Sequence, residues 1–313
     1  MDALLTGLRN GSRHHPSEGA SGTWRRLTNN WLVRIGGGVL TLLILLSLLA
    51  PWLGVIDPNL LDSAHTNLLP GASRRLTAPT GLSFDHTSWM GTDSFGRDIY
   101  SRVLYGGRVS LVVGGAVAGL SLLFGAIIGL VAGYVRWLDG AVMRIMDGLM
   151  AIPGILLALA LVAIWRASLG AVIVAITVPE IPRVGRLVRS LVLSIREEPY
   201  IEAAVSVGTP TVKLLYRHIL PNTIAPLIVQ GTYICALAML VEAILSFLGV
   251  GLSTDVPTWG NIMAEGRQDF YSYPHKVLLP GLFLALTVLS VNMLGDGLRD
   301  TLDPYFGQRG DRP

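Results

Sequence analysis

The chain has 313 residues, of which 51% are hydrophobic and only 14% charged, against about 25% charged in an ordinary soluble domain. Together with a mean hydropathy of +0.55, this points to lipid and against a large water-facing core; with the apolar runs taken below, the reading is an all-α, polytopic membrane protein. The net charge of +3 is mild, and the basic residues flank apolar runs, so they read as membrane-orientation signals and not as a nucleic-acid footprint. The single cysteine, Cys235, makes an intrachain disulfide impossible.

Residues 1–34 open with a stretch rich in Gly, Ser, His and Arg that lacks apolar periodicity, and they read as a mobile cytoplasmic tail. His14-His15 in that tail reads as a solvated pair and not as a metal site. A membrane-crossing helix needs about 20 apolar residues. Six runs qualify, at 35–53, 109–135, 148–165, 169–188, 223–249 and 277–294. The first reads as a retained helix and not a cleaved signal, because Pro51 stands where cleavage would fall and no A-x-A-like site follows. With the N-terminus inside, 16 of the 24 Lys and Arg residues fall on inner segments, which favours both termini in the cytoplasm.

The loop 54–108 then lies outside. Asp85, His86, Asp93 and Asp98 invite a metal reading, but Asp93 before Ser94 is more simply the N-cap of the helix leading into the second span. That span carries Gly115 and Gly119, then Gly125, Gly129 and Gly133, each four apart. Glycines so spaced share a helix face and admit a neighbouring helix to backbone contact. In the fourth run, Glu180 sits between Pro179 and Pro182, a pattern expected to kink or break the helix. With Arg183, Arg186 and Arg189 following, it reads as an inner-surface cluster. Glu242 in the fifth run would cost about 2.5–3.5 kcal/mol if charged and facing lipid. It should therefore line a pathway or make an interhelical hydrogen bond, and the second reading is the better supported.

The segment 190–222 is the most informative. Pro199 suits the first turn of a helix and Gly208 its stop. Thr209 and Pro210 read as N-cap and first residue of a second short helix, which Pro221 should close before the fifth span. A helix, a sharp turn and a second helix are expected at the inner face.

This segment resembles the coupling loop of ABC-importer permeases, written EAA, three residues, Gly, then a distal Leu-Pro. Glu202, Ala203, Ala204, Gly208, Leu220 and Pro221 stand at that spacing, while His218 departs from the usual Ile. The run from Arg217 to Asn222 resembles the variant of the peptide and nickel branch. Further blocks resemble the same branch in order: WMGTDSFGRD at 89–98, SRVLYGGRVSL at 101–111, EAILSFLGVG at 242–251, Trp259-Gly260, Pro280-Gly281 and NMLGDGLRDTLDP at 292–304. The C-type, or second, permease of dipeptide and oligopeptide importers is the best match.

The resemblance implies a type I importer permease fold of six transmembrane helices, with a five-helix core over 109–297, in a bacterial cytoplasmic membrane. It implies that Glu202, Ala203, Ala204, Gly208, His218, Leu220, Pro221 and Asn222 form the contact with a cytoplasmic ATPase. Its partners would be a homologous second permease, two ATPase subunits and an extracytoplasmic substrate-binding protein, with a peptide, or a nickel complex, as cargo. The chain itself would hold no cofactor, ATP and Mg residing in the ATPases. The residues agree, since a phosphate-cradling G-x4-G-K-[ST] loop needs a lysine after glycine. Lys213 follows Val212 and Lys276 follows His275. No H-E-x-x-H, C-x-x-C or G-x-S-x-G is present either. An ion-coupled carrier acting alone is the rival reading, motivated by Glu180 and Glu242.

Overall fold

The computed structural model describes residues 27–77, 83–165 and 168–302. The His14-His15 pair and the last residues of the C-terminal block, from Asp303, lie outside them. Helix α1 (Trp31–Leu48) is capped by Asn30, whose side chain accepts from Leu32 N. A short hairpin follows, β1 (Ala72–Thr77) pairing antiparallel with β2 (Ser83–Ser88). Helix α2 (Ile99–Tyr134) leads through α3 (Arg136–Met150) and α4 (Gly154–Ile164) to α5 (Leu169–Ile195). The short α6 (Pro199–Ser206) and α7 (Thr211–Leu214) precede the long α8 (Leu220–Phe247), then α9 (Trp259–Gly266) and α10 (His275–Leu302).

Among the described residues, four helical stretches are long and apolar enough to cross a membrane: Trp31–Leu48, Ile99–Tyr134, Thr211–Phe247 and His275–Thr301. The pair α3 and α4, bent by 85°, makes a fifth if taken as one broken span. The third run expected over 148–165 is therefore divided, its first residues ending one helix and the rest forming α4. Pro153 stands immediately before α4, and a proline disfavours helical geometry in the residue before it, here Ile152. Helix α5 has 27 residues, about 40 Å at 1.5 Å per residue, but Glu180, Arg183 and Arg186 lower its apolarity. The four-to-five count is therefore smaller than the expected six, and the difference lies in α5.

Helix α2 is the central pillar. Along its C-terminal half it packs against α5, and α8 lies on another side. One core joins Val113 and Val117 to Val184, Val188 and Ile234. A second, toward the hairpin end, joins Ile99, Val103, Met239, Trp259 and Val291. Helix α1 packs on α10, where Gly36 brings the backbones together. A Cβ there would sit 2.8 Å from Ser290 O.

Three local expectations need correction. The helix expected to lead from Asp93 into the span at 109 starts instead at Ile99 and is continuous with that span, and its N-cap is Asp98, whose Oδ2 accepts from Ser101 N at 2.9 Å and Ser101 Oγ at 2.7 Å. Asp93 instead closes a turn, accepting from Phe95 N at 2.8 Å and Arg97 N at 2.9 Å. That turn passes through Gly96 at φ +75, where a Cβ would lie 1.9 Å from Asp62 O. Pro179 and Pro182 do not break α5. Both rings are buried, and Gly154 of α4 fits against Pro179, so tertiary packing holds the helix through the two missing donors. The glycines of α2 divide. Gly125, Gly129 and Gly133 face Val184, Gly185, Val188 and Val192 of α5, whereas a Cβ on Gly115 or Gly119 would meet nothing within 4 Å.

Candidate functional site

The helical pair α6–α7 is built by local chemistry. Pro199 occupies the first helical position of α6 and Glu202 lies in its first turn, where a carboxylate complements the helix dipole. The helix ends in a two-bond glycine cap. Gly208, at φ +82, donates to Val205 O at 2.9 Å and Thr209 donates to Ala204 O at 3.1 Å. Pro210, and not Thr209, is the residue that flanks α7, in extended conformation and with no side-chain cap.

Pro221 does not close α7. The chain runs as one helical rod from Thr211 to Phe247. A five-residue π turn at Leu215–Ile219 lets Leu220 N donate to Leu215 O. Widening the helix there relieves the clash that a proline ring makes with the carbonyl four residues back. Asn222 Nδ2 then donates to His218 O at 2.6 Å and to the Tyr200 hydroxyl at 3.2 Å. The second bond ties α6 to the root of α8. Tyr200 was not among the residues singled out from sequence, and only its aromatic hydroxyl next to Pro199 hinted at it.

Ile201, Leu214 and Ile219 anchor the pair in the main core at 2%, 0% and 0% exposure. Ala204 is half-buried against that core, while Glu202, Ala203, Gly208, Pro221 and Asn222 are exposed and His218 and Leu220 partly so. Val205, Val207, Val212 and Tyr216 are exposed around the Gly208 turn. The result is a rigidly rooted knob with an apolar rim and the Glu202 carboxylate at its base, beside the exposed Glu197 and Glu198.

The membrane-level acids separate. Glu242 is 1% exposed, and its Oε1 accepts from Ser246 Oγ and Thr258 Oγ1, each at 2.9 Å. Thr258 is also the N-cap of α9, accepting from Asn261 N at 3.1 Å. Glu242 therefore makes a bond from α8 to the start of α9. Glu242→Gln keeps an acceptor oxygen and should leave the melting temperature of the purified subunit close to wild type. Glu242→Ala strands two buried hydroxyls and should cost about 2–4 kcal/mol. A glutamine variant as unstable as the alanine one would overturn this role.

Glu180 pairs with Arg183 at 3.0 Å, Arg186 with Asp147 at 2.5 Å, and Arg189 with Asp139 through Nη2 at 2.6 Å. The three arginines thus form a ladder of pairs joining α5 to itself and to α3.

At the hairpin end, a second polar network fastens the loop to α9 and α10. Arg102, 0% exposed, reaches Thr254 O at 3.2 Å and Glu265 Oε1 at 3.4 Å, and Arg97 pairs with Glu265 and, at 2.7 Å, with Asp93. Burial holds the Glu265 carboxyl above its ordinary pKa even against these two guanidiniums. Lys276 bonds Asp269 at 2.8 Å, and Ser94 bonds the same carboxylate at 2.6 Å. Those two hydrogen bonds hold Asp269 below the usual carboxylate range. Asp85 meets Arg75 at 3.9 Å, while His86 meets Asp98 at 3.5 Å. Of the four residues of the metal reading, His86 and Asp98 thus meet each other, while Asp85 and Asp93 pair with Arg75 and Arg97.

Central glycine-packed helices, a side-rooted helical knob and a membrane-embedded body define a transport permease. The chain belongs to the family of binding-protein-dependent transport system inner membrane components, whose model matches residues 121–307. Residues 21–70 match the N-terminal transmembrane domain of oligopeptide transport permease C. Over 278 residues it is 48% identical to a probable peptide ABC transporter permease protein of Sinorhizobium fredii, covering 89% of this chain and 90% of that protein. A dipeptide transport system permease protein of Alkalihalophilus pseudofirmus is 44% identical over 282 residues, covering 90% and 88%. A glutathione transport system permease protein of Pectobacterium atrosepticum is 38% identical over 283 residues, covering 90% and 89%. Among solved structures, the MetNI methionine ABC transporter in an inward-facing conformation shares the fold, with a TM-score of 0.52 at 21% identity over 64% of this chain and 96% of that one. The fold is that of a type I importer permease, and the chain is the membrane subunit of an ABC transporter.

Proposed function

We propose that this subunit forms half of the pathway of an ATP-driven peptide importer, paired with a homologous permease, two ATPase subunits that bind ATP and Mg, and an extracytoplasmic binding protein. The observation that carries the reading is the α6–α7 knob. Its buried face is fixed to the core, and its exposed face offers the Glu202 carboxylate and an apolar rim to another protein. Both termini and the knob lie in the cytoplasm, and α5 completes six spans. ATP binding would close the ATPases, move the knob as a rigid body with the root of α8, and switch access to the pathway. Glu202 offers a charge-assisted bond to a basic group, and Ala203 leaves the helix slim enough to enter a groove. The names of the relatives support a di- or oligopeptide cargo.

The test is transport by the reconstituted complex. Peptide should accumulate only when ATP, the ATPases and the binding protein are all present. Uptake by this chain alone, driven by a proton or sodium gradient without ATP, would replace this reading with that of an ion-coupled carrier.

A further inference from the structure

Helix α5 changes character halfway along. Arg183 stands twelve residues from Ile195 and fourteen from Leu169, about 18 Å and 21 Å from the two ends at 1.5 Å per residue. The neighbouring Val184 packs on Gly125, inside the long apolar stretch of α2, which places Arg183 within a hydrocarbon layer about 30 Å thick. On the Leu169 side, the exposed surface of α5 is apolar, as at Val174. From Arg183 onward, the exposed residues are Arg183, Arg186, Ser190 and Ser194, spaced three and four apart and so on one helix face. Asp147 of α3 lies beside them, 63% exposed and paired with Arg186.

The exposed faces of the other long helices differ. Leu123, Phe124 and Ile127 on α2, Ile224, Ile228 and Ile244 on α8, and Leu278, Leu282 and Leu289 on α10 suit lipid. A charged group turned to lipid at mid-depth is costly, so the α5 stripe borders water.

At the blind end of this stripe, the Glu180 carboxylate is 7% exposed and the Arg183 side chain 42% exposed. Arg183 commits only Nη1 to Glu180, reaching its two oxygens at 3.0 Å and 3.1 Å. Nε and Nη2 make no hydrogen bond among the described residues, and their edge has the geometry that grips a carboxylate with two parallel bonds. Glu180 fixes the guanidinium plane from behind. We propose that Arg183, positioned by Glu180, is a binding point midway along the pathway for the C-terminal carboxylate of a peptide in transit. The inference rests on the peptide-importer reading above and adds the chemistry by which the membrane subunit holds its cargo.

The test uses the complete reconstituted complex and a dipeptide together with its C-terminal amide, a pair that the wild-type complex carries in both forms. Arg183→Gln should lower uptake of the free dipeptide about tenfold or more, the scale of a charged hydrogen-bonded contact, and leave amide uptake at its wild-type value. Arg183→Lys, which keeps charge without the paired donors, should fall between. Loss of both substrates alike, or of neither, overturns the carboxylate site while the importer reading stands. A wild-type complex that moves no peptide overturns both. As a folding-independent arm, Ser194→Cys in a Cys235→Ala background should react with a membrane-impermeant thiol reagent applied from the inner side, and Leu123→Cys should not. An unreactive Ser194→Cys would place the stripe away from water and overturn the proposal.

Discussion

Replacing Gly208 by proline should leave the reconstituted transporter assembled but unable to turn ATP hydrolysis into uptake. Gly208 sits at φ +82, while proline fixes φ near −65°. Its N–H donates to Val205 O at 2.9 Å, and proline has no such donor. The turn between α6 and α7 would have to reopen, which swings Glu202 and the exposed valines away from the direction set by Ile201 and Leu214. Because a Cβ at 208 meets nothing within 4 Å, the penalty is one of backbone conformation and not of crowding. Gly208→Ala is therefore the informative companion. It should cost about 1–2 kcal/mol, the price of a left-handed non-glycine residue, and weaken coupling without abolishing it. The measurement is the ratio of peptide moved to ATP hydrolysed. An unchanged ratio in the proline variant would mean that the α6–α7 turn does not carry the motion.

The second large effect falls on Gly129. A Cβ there would lie 2.5 Å from Gly185 O and 2.7 Å from Val188 Cβ, and a backbone oxygen inside a packed helix has no room to retreat. Gly129→Leu should prise α2 from α5, cost about 1–3 kcal/mol or more, and sharply lower the yield of monodisperse subunit. Gly119→Leu adds the same bulk where a Cβ would meet nothing within 4 Å, so its melting temperature should stay near wild type. Equal losses in the two variants would mean that the α2–α5 contact is not what holds this part of the fold. A Gly119→Leu subunit that is stable alone but fails to join the complex would place that face against another subunit.

Much of this molecule is written in local sequence. Apolar runs locate the membrane helices because lipid demands an uninterrupted hydrophobic length. The start and stop of α6 follow from Pro199 and Gly208, since each residue restricts the backbone by itself. The ordered blocks from Trp89 to Pro304 carry the family. What remained out of reach depends on partners distant in the chain. Hydropathy places the start of α2 near 109 because Arg102 and Arg108 interrupt the apolar run. Only the fold reveals that Arg102 is buried against Thr254 and Glu265. Five glycines in two runs, each with a spacing of four, look equivalent in sequence, yet only Gly125, Gly129 and Gly133 meet α5. Pro179 and Pro182 announce a break that packing overrides, and Pro221 announces a stop that a π turn absorbs. Glu180 and Glu242 are alike as letters. One holds an arginine half open to its surroundings and the other bonds the cap of α9. Local residue chemistry limits which backbone shapes are available, but burial and pairing between distant segments select among them, and that selection exists only once the helices are assembled.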